Sequence, residues 1–151
     1  MFDFMEIQII FQLFLATLFG AFIGFEREWK RKKAGFQTYS LVALGSCIFT
    51  IIAFQSFYNF LDRGVILNPL LVIQAAAIGI GFIGAGVIFV REDRIEGLTT
   101  AAGLWTAAGI GVAVGVKFYF LALFSTFLAI LILAGFGLFE EKIINKKLKG
   151  K

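Results

Sequence analysis

The sequence predicts an all-α membrane protein, a polytopic bundle of five transmembrane helices, and three observations predict it. Of the 151 residues, 60% are hydrophobic, twenty are Phe and seventeen Gly, and the mean hydropathy is +0.91, a balance foreign to a soluble domain. Apolar runs recur at Ile7 to Phe25, Tyr39 to Tyr58, Leu70 to Val90, Leu98 to Val116 and Phe118 to Phe139. Each is long enough to cross about 30 Å of hydrocarbon at 1.5 Å per residue. Finally, twelve of the fourteen Lys and Arg residues fall in Glu26 to Gly35, Arg91 to Gly97 and the tail Glu140 to Lys151, which five spans place on one side of the membrane; only Arg63 and Lys117 fall on the other. The positive-inside rule then gives an outside N-terminus and an inside C-terminus, with residues 1–151 forming a single transmembrane domain.

The same composition excludes several function classes. The net charge of +4 sits in blocks at helix ends instead of along one exposed face, so it reads as topology and not as a nucleic-acid surface. There is no histidine, which removes the usual general base and the commonest metal ligand. The single cysteine, Cys47, lies within the second span, so neither an internal disulfide nor a cysteine metal cluster is available. No enzyme activity and no cofactor are expected.

The N-terminus carries Asp3 and Glu6 and no base before the first apolar run, unlike a secretory signal peptide. On the first span Ala16, Gly20 and Gly24 repeat every four residues, and Arg27 continues that side, seven residues on from Gly20. Glu26-Arg27-Glu28-Trp29-Lys30-Arg31-Lys32-Lys33 then stops the span. Its main physical role is orientation, with Glu26/Lys30 and Glu28/Lys32 as surface pairs and Lys30 and Lys32 on a solvated face. Its functional reading puts Arg27 under the bundle with Glu26 and Glu28 beside it, since an ionisable group at the edge of a membrane bundle is a functional candidate. The second span carries Gly45, Ser46 and Cys47 as a small central patch, and Asn68-Pro69 marks a turn before the third.

The stretch Gln74 to Thr106 joins two glycine-rich apolar runs through a short charged loop, Arg91-Glu92-Asp93-Arg94, and reads as a helical hairpin. On its first helix Ala75, Gly79 and Gly86 fall on one side, and Ala77, Gly81, Gly84 and Ala85 on the other, with Gln74 sharing the second side. Small residues let helices approach closely in lipid, so two grooved sides place this third helix centrally. Gly79-x-Gly81-x-x-Gly84 matches a dinucleotide fingerprint, but the apolar run continues to Val90 where a strand and an amphipathic helix are required. The weakly hydrophobic fourth span carries Thr99, Thr100, Gly103 and Thr106; Thr99, Gly103, Thr106 and Ala113 share a side suited to burial against the third helix, with Trp105 as a packing wedge ahead of a cavity wall. The Phe- and Leu-rich fifth span faces lipid.

These residues resemble the membrane domain of the MgtC/SapB family. The resemblance rests on Gly20-Ala21-Phe22-Ile23-Gly24-Phe25-Glu26-Arg27-Glu28, Ala34-Gly35 and Leu41-Val42-Ala43-Leu44-Gly45, and above all on Gly79 to Gly86 followed by Gly97-Leu98-Thr99-Thr100-Ala101-Ala102-Gly103-Leu104-Trp105. It implies a small bacterial inner-membrane protein linked to growth or survival when magnesium is scarce, to virulence in pathogens, and to action on other membrane proteins, including the F-type ATP synthase. Magnesium transport is the older function attached to the family. The chain departs from the family pattern at Gln37, where an arginine is usual, and at Asn68-Pro69-Leu70-Leu71, where Asp-Pro-x-Arg is usual. With Lys151 as its last residue, the soluble C-terminal sensor of many relatives is not expected.

Two functions compete. One is a regulatory protein whose helix faces bind other membrane proteins. The other is a cation transporter or channel working as a homo-oligomer. Magnesium takes one or two carboxylates and keeps much of its water. Its candidate ligands here are Glu28, Glu92 and Asp93, within an inner-face cluster of Glu26, Arg27, Glu28, Arg91, Glu92 and Asp93. No carboxylate lies mid-span, which disfavours a path through one protomer. Arg27 needs a carboxylate from outside its helix, and Glu92 or Asp93 is the expected partner.

Overall fold

The computed structural model describes residues 4–61, 68–91 and 94–136. The chain order is α1 (Phe4–Trp29), α2 (Phe36–Leu61), α3 (Leu70–Ala85), β1 (Phe89–Arg91), β2 (Arg94–Glu96), α4 (Leu98–Gly115) and α5 (Tyr119–Leu131), the last continuing into a π-helical turn, Ile132–Phe136. Five helices form as expected, and α1, α2 and α4 are long and apolar enough to cross a membrane. By contrast α3, with 16 residues, covers about 24 Å at 1.5 Å per residue, short of the ~30 Å of a hydrocarbon core.

The ends of these helices have local causes. Pro69, whose missing N–H is no loss at a helix start, precedes α3, and Asn68 Oδ1 accepts the Leu70 N–H at 3.0 Å. The third apolar run does not stay helical to Val90. Beyond Gly86 the alternating Phe89-Val90-Arg91 and Arg94-Ile95-Glu96 pair as an antiparallel hairpin, Val90 opposite Ile95 and Arg91 opposite Arg94. Gly97 then turns with φ of 92°, and a Cβ there would collide with the Val87 carbonyl, so the entry to α4 requires glycine.

Both α1 and α4 close in the same way. Lys32 N–H reaches back to the Arg27 carbonyl and Arg31 N–H to that of Glu28; Phe118 N–H reaches Ala113 and Lys117 N–H reaches Val114. This is the Schellman pattern, with a left-handed residue where glycine is usual, occupied here by Arg31 (φ 51°) and Lys117 (φ 67°). Their charge suits the negative end of the helix dipole.

The centre of the bundle is α4, which touches all four other helices and buries ten residues, Leu104, Ala107, Ala108, Ile110 and Val114 among them. This corrects the expectation for α3, which buries only Ile80 and Gly84 and packs chiefly on α4 and α2. The physical reason is what stands opposite each glycine. Gly111 of α4 lies on the Ala43 carbonyl of α2, a Cβ on Gly115 would sit 2.7 Å from Thr50 Cβ, and Gly103 is closed by the Tyr39 ring. Around Gly79 and Gly81 of α3 there is open space. On α1 the small-residue side is closed as expected: a Cβ on Gly20 would lie 2.9 Å from Ser40 Cα, and one on Gly24 would lie 2.7 Å from Phe36 Cα. A further correction concerns Thr99, which is exposed; of its expected side Gly103 is closed by Tyr39 of α2, whereas Thr106 and Ala113 border a hollow between α4 and α3. The fifth helix buries only Ala122, Thr126 and Ala129 and turns its Phe and Leu residues outward.

Candidate functional site at the charged end of the bundle

The spacing that carries Arg27 along the Gly20–Gly24 side of α1 takes its guanidinium under the bundle, where the residue is 3% exposed. Its Nη1 lies 3.3 Å from Glu26 Oε2. Glu26 Oε1 is 2.9 Å from the Lys30 ammonium, an ion pair whose geometry falls short of a hydrogen bond. Lys30 also donates to the Leu133 carbonyl at 2.9 Å and, at 3.4 Å, to that of Ala134. This corrects its placement on a solvated face: its ammonium ties the end of α1 to the π-helical turn after α5. One carboxylate therefore serves two cations, and the three charges form a chain from beneath the bundle toward water.

Arg27 Nε is buried and has no partner among the described residues, while the expected partners Glu92 and Asp93 lie outside the described residues. Arg91 is exposed on β1. Glu28 is engaged elsewhere: its Oε2 accepts the Phe36 N–H at 2.9 Å, capping the start of α2, and the expected pair with Lys32 is not formed. The carboxylate leans on Gly35, where a Cβ would stand 2.6 Å from Oε2. Among the described residues no three acidic or cysteine side chains converge on a point that could hold a metal ion. Above Arg27 the Tyr39 side chain, fully buried, donates its hydroxyl to the Thr100 carbonyl at 3.2 Å and so links α2 to the first turn of α4.

The other sequence candidates separate into two groups. Gly20, Gly24 and Thr100 are buried at the α1/α2/α4 contact. Gln74, Gly79, Gly81 and Gly86 are exposed, and Gly84 alone of the α3 glycines is buried, with Ala101 Cβ 3.5 Å from where its own would be. Trp105, 60% exposed, is not a wedge inside the bundle; with Ile73, Ala77 and Ile80 it walls an apolar hollow of about 350 Å³ on the α3/α4 side.

Sequence reasoning missed Gln12. It is buried mid-helix and its Nε2 donates to both the Val114 carbonyl (2.8 Å) and the Gly115 carbonyl (2.9 Å). Those groups belong to the last turn of α4, which in hydrocarbon has no water to satisfy it. Beside it, Lys117 Nζ donates to Gln8 Oε1 at 3.2 Å. A lone amide within an apolar run was the available signal.

The MgtC family pattern matches residues 13–142. The chain is 36% identical over 143 residues to the Escherichia coli (strain K12) protein named "Putative magnesium transporter YhiD", covering 94% of this chain and 66% of that one. It is 42% identical over 97 residues to Protein SapB of Bacillus subtilis (63% of this chain, 42% of that one). It is 37% identical over 93 residues to Protein MgtC of Salmonella typhimurium (strain LT2), covering 62% and 37%. The chain thus spans less than two thirds of each of these three relatives. No solved structure matches it.

Proposed function

The chain belongs to the MgtC family, and from that premise we propose that it is a bacterial inner-membrane protein of magnesium homeostasis that serves adaptation to low magnesium by binding and modulating other membrane proteins. The observation that carries this reading is the unequal finish of the bundle. Among the described residues the buried charge lies at one end, where Arg27 and Glu26 form an ion pair, whereas α3 turns Gln74 and Gly81 outward together with Ile78 and Phe82. A small residue flanked by an amide and large apolar side chains is what a partner helix in lipid needs for close approach and one interhelical hydrogen bond. By the family resemblance, the membrane sector of the F-type ATP synthase is one such partner.

The name carried by the Escherichia coli relative favours a second reading, magnesium transport by a homo-oligomer in which the open α3 faces line the axis. One experiment separates the two: magnesium flux into proteoliposomes that contain the purified chain alone. Modulation of partners gives flux equal to that of empty vesicles while Gly81→Leu abolishes growth in low magnesium without lowering the amount of folded protein. Flux well above empty vesicles overturns modulation in favour of transport.

A further inference from the structure

We propose that the cleft between α2 and α3 is a binding site for one anionic phospholipid, with its headgroup in a basic hollow on the α1–α2 turn and an acyl chain along the two helices. The hollow, about 730 Å³, is walled by Trp29, Arg31, Lys32, Lys33 and the first residues of α2. Three cations face one carboxylate there, Glu28, and that carboxylate is occupied by the Phe36 N–H. The turn is held in this shape by the left-handed Arg31 and by Lys33, whose ammonium stands 5.3 Å from the centroid of the Phe89 ring. On the hairpin, Arg91 and Arg94 are cross-strand partners on the same face as Phe89 and its own partner Glu96, so that face sets two cations against one carboxylate and is net positive beside Lys33. Trp29, 80% exposed at the helix end, is the side chain that sits at headgroup level in a bilayer.

Thr38 borders this hollow and also opens a second one, an apolar groove of about 600 Å³. Its walls are the stripe Thr38, Gly45, Phe49 on α2 and the stripe Val72, Gly79, Ile83 on α3, which run antiparallel. From Thr38 to Phe49 the groove extends about 16 Å at 1.5 Å per residue, close to the depth of one leaflet of a ~30 Å hydrocarbon layer. It stays open because Gly45 and Gly79 have nothing within 4 Å of where a Cβ would stand. A positively charged mouth on an apolar slot of leaflet depth selects a negatively charged headgroup with a chain attached, and basic pockets at this membrane level recognise such headgroups elsewhere. A helix of a second copy would fill the slot but leave the cations unmatched.

The test is native mass spectrometry of the whole chain in detergent with added palmitoyl-oleoyl phosphatidylglycerol, beside phosphatidylethanolamine of the same chains and glycerol phosphate without chains. The expected result is a one-to-one phosphatidylglycerol adduct retained at least tenfold better than the phosphatidylethanolamine one and not displaced by glycerol phosphate. Joint Lys32→Gln and Lys33→Gln substitution, on exposed side chains, lowers retention about tenfold. Gly45→Leu and Gly79→Leu, which fill the groove, do the same with an unchanged melting temperature; should either fail to fold, the charge variants and the headgroup comparison decide alone. Equal retention of the two lipids, displacement by glycerol phosphate, an adduct indifferent to the charge variants, or a lipid-free dimer that Gly79→Leu dissociates would each overturn the proposal.

Discussion

The two halves of the helical hairpin, α3 and α4, have similar compositions and opposite fates. Both are rich in Gly and Ala; α4 buries ten residues at the centre of the bundle and α3 buries two at its edge. Gly103, Gly111 and Gly115 of α4 meet backbone and side chains of α2, and only Gly109 is open, whereas Gly79 and Gly81 of α3 meet nothing. In water, apolar content would have driven both inward. In lipid it does not, because hydrocarbon solvates an exposed Phe82 or Ile78 as well as a core does, and burial is decided by shape complementarity and by polar groups that need partners. Small residues permit close approach without specifying it. The contrast teaches that a groove on a membrane helix is an invitation whose acceptance depends on the facing helix.

The largest effect that contrast predicts is steric. Gly111→Leu drives a side chain into the Ala43 carbonyl, backbone that cannot swing aside as a flexible side chain would, and should abolish a monodisperse peak on size exclusion. Gly81→Leu, the same change on α3, should leave the peak and melting temperature of the isolated protein unaltered.

Next in size is the buried charge. Removing one member of a buried ion pair costs about 3–5 kcal/mol because the other is left uncompensated. Arg27→Ala should therefore lower the melting temperature sharply, and a double-mutant cycle with Glu26→Gln should show coupling. Lys30→Ala falls between, since it loses the Glu26 pair and two backbone carbonyls while remaining part-exposed, and the exposed Lys32→Ala should be silent. Equal melting for Arg27→Ala and Lys32→Ala would reduce this end of the bundle to an orientation signal.

Smaller again is the comparison of the two amides. Gln12→Leu deprives the last turn of α4 of two hydrogen bonds worth ~0.6 kcal/mol each in a membrane, a loss of about 1 kcal/mol in a chemical or thermal unfolding series. Gln74→Leu on exposed α3 should change nothing in the isolated protein. The smallest expected effect is a gain. Lys117 holds a left-handed conformation that glycine adopts without strain, so Lys117→Gly should raise the melting temperature slightly, by no more than ~1 kcal/mol of stability, offset in part by the lost Gln8 contact.

Much of this was legible in the sequence, and the limits are instructive. The number of helices follows from the lengths of the apolar runs. The burial of Arg27 follows from its place on the Gly20–Gly24 side, because periodicity along one helix is local information. The end of α3 at Ala85 was obscured by hydropathy, which does not distinguish a strand from a helix in a short apolar stretch; the alternation in Phe89-Val90-Arg91 and Arg94-Ile95-Glu96 was the signal for the hairpin. The edge position of α3 was not legible, since Gly79 and Gly81 are compatible with either an interior or an open flank and the answer resides in α2 and α4. Gln12 and Lys30 were misjudged for a related reason. Their partners, the carbonyls of Val114, Gly115, Leu133 and Ala134, are more than a hundred residues away in the chain.

The central claim, that α4 is the packed centre and α3 an outer wall with open flanks, is tested most directly by tryptophan scanning of both helices in the isolated protein, reading the folded fraction on size exclusion at each position. The account predicts that α3 accepts tryptophan around its circumference except near Ile80 and Gly84, and that α4 rejects it everywhere except at exposed positions such as Thr99, Ala102 and Gly109. Rejection around the whole of α3 together with free acceptance at Ala107, Ala108 and Gly111 of α4 would contradict it.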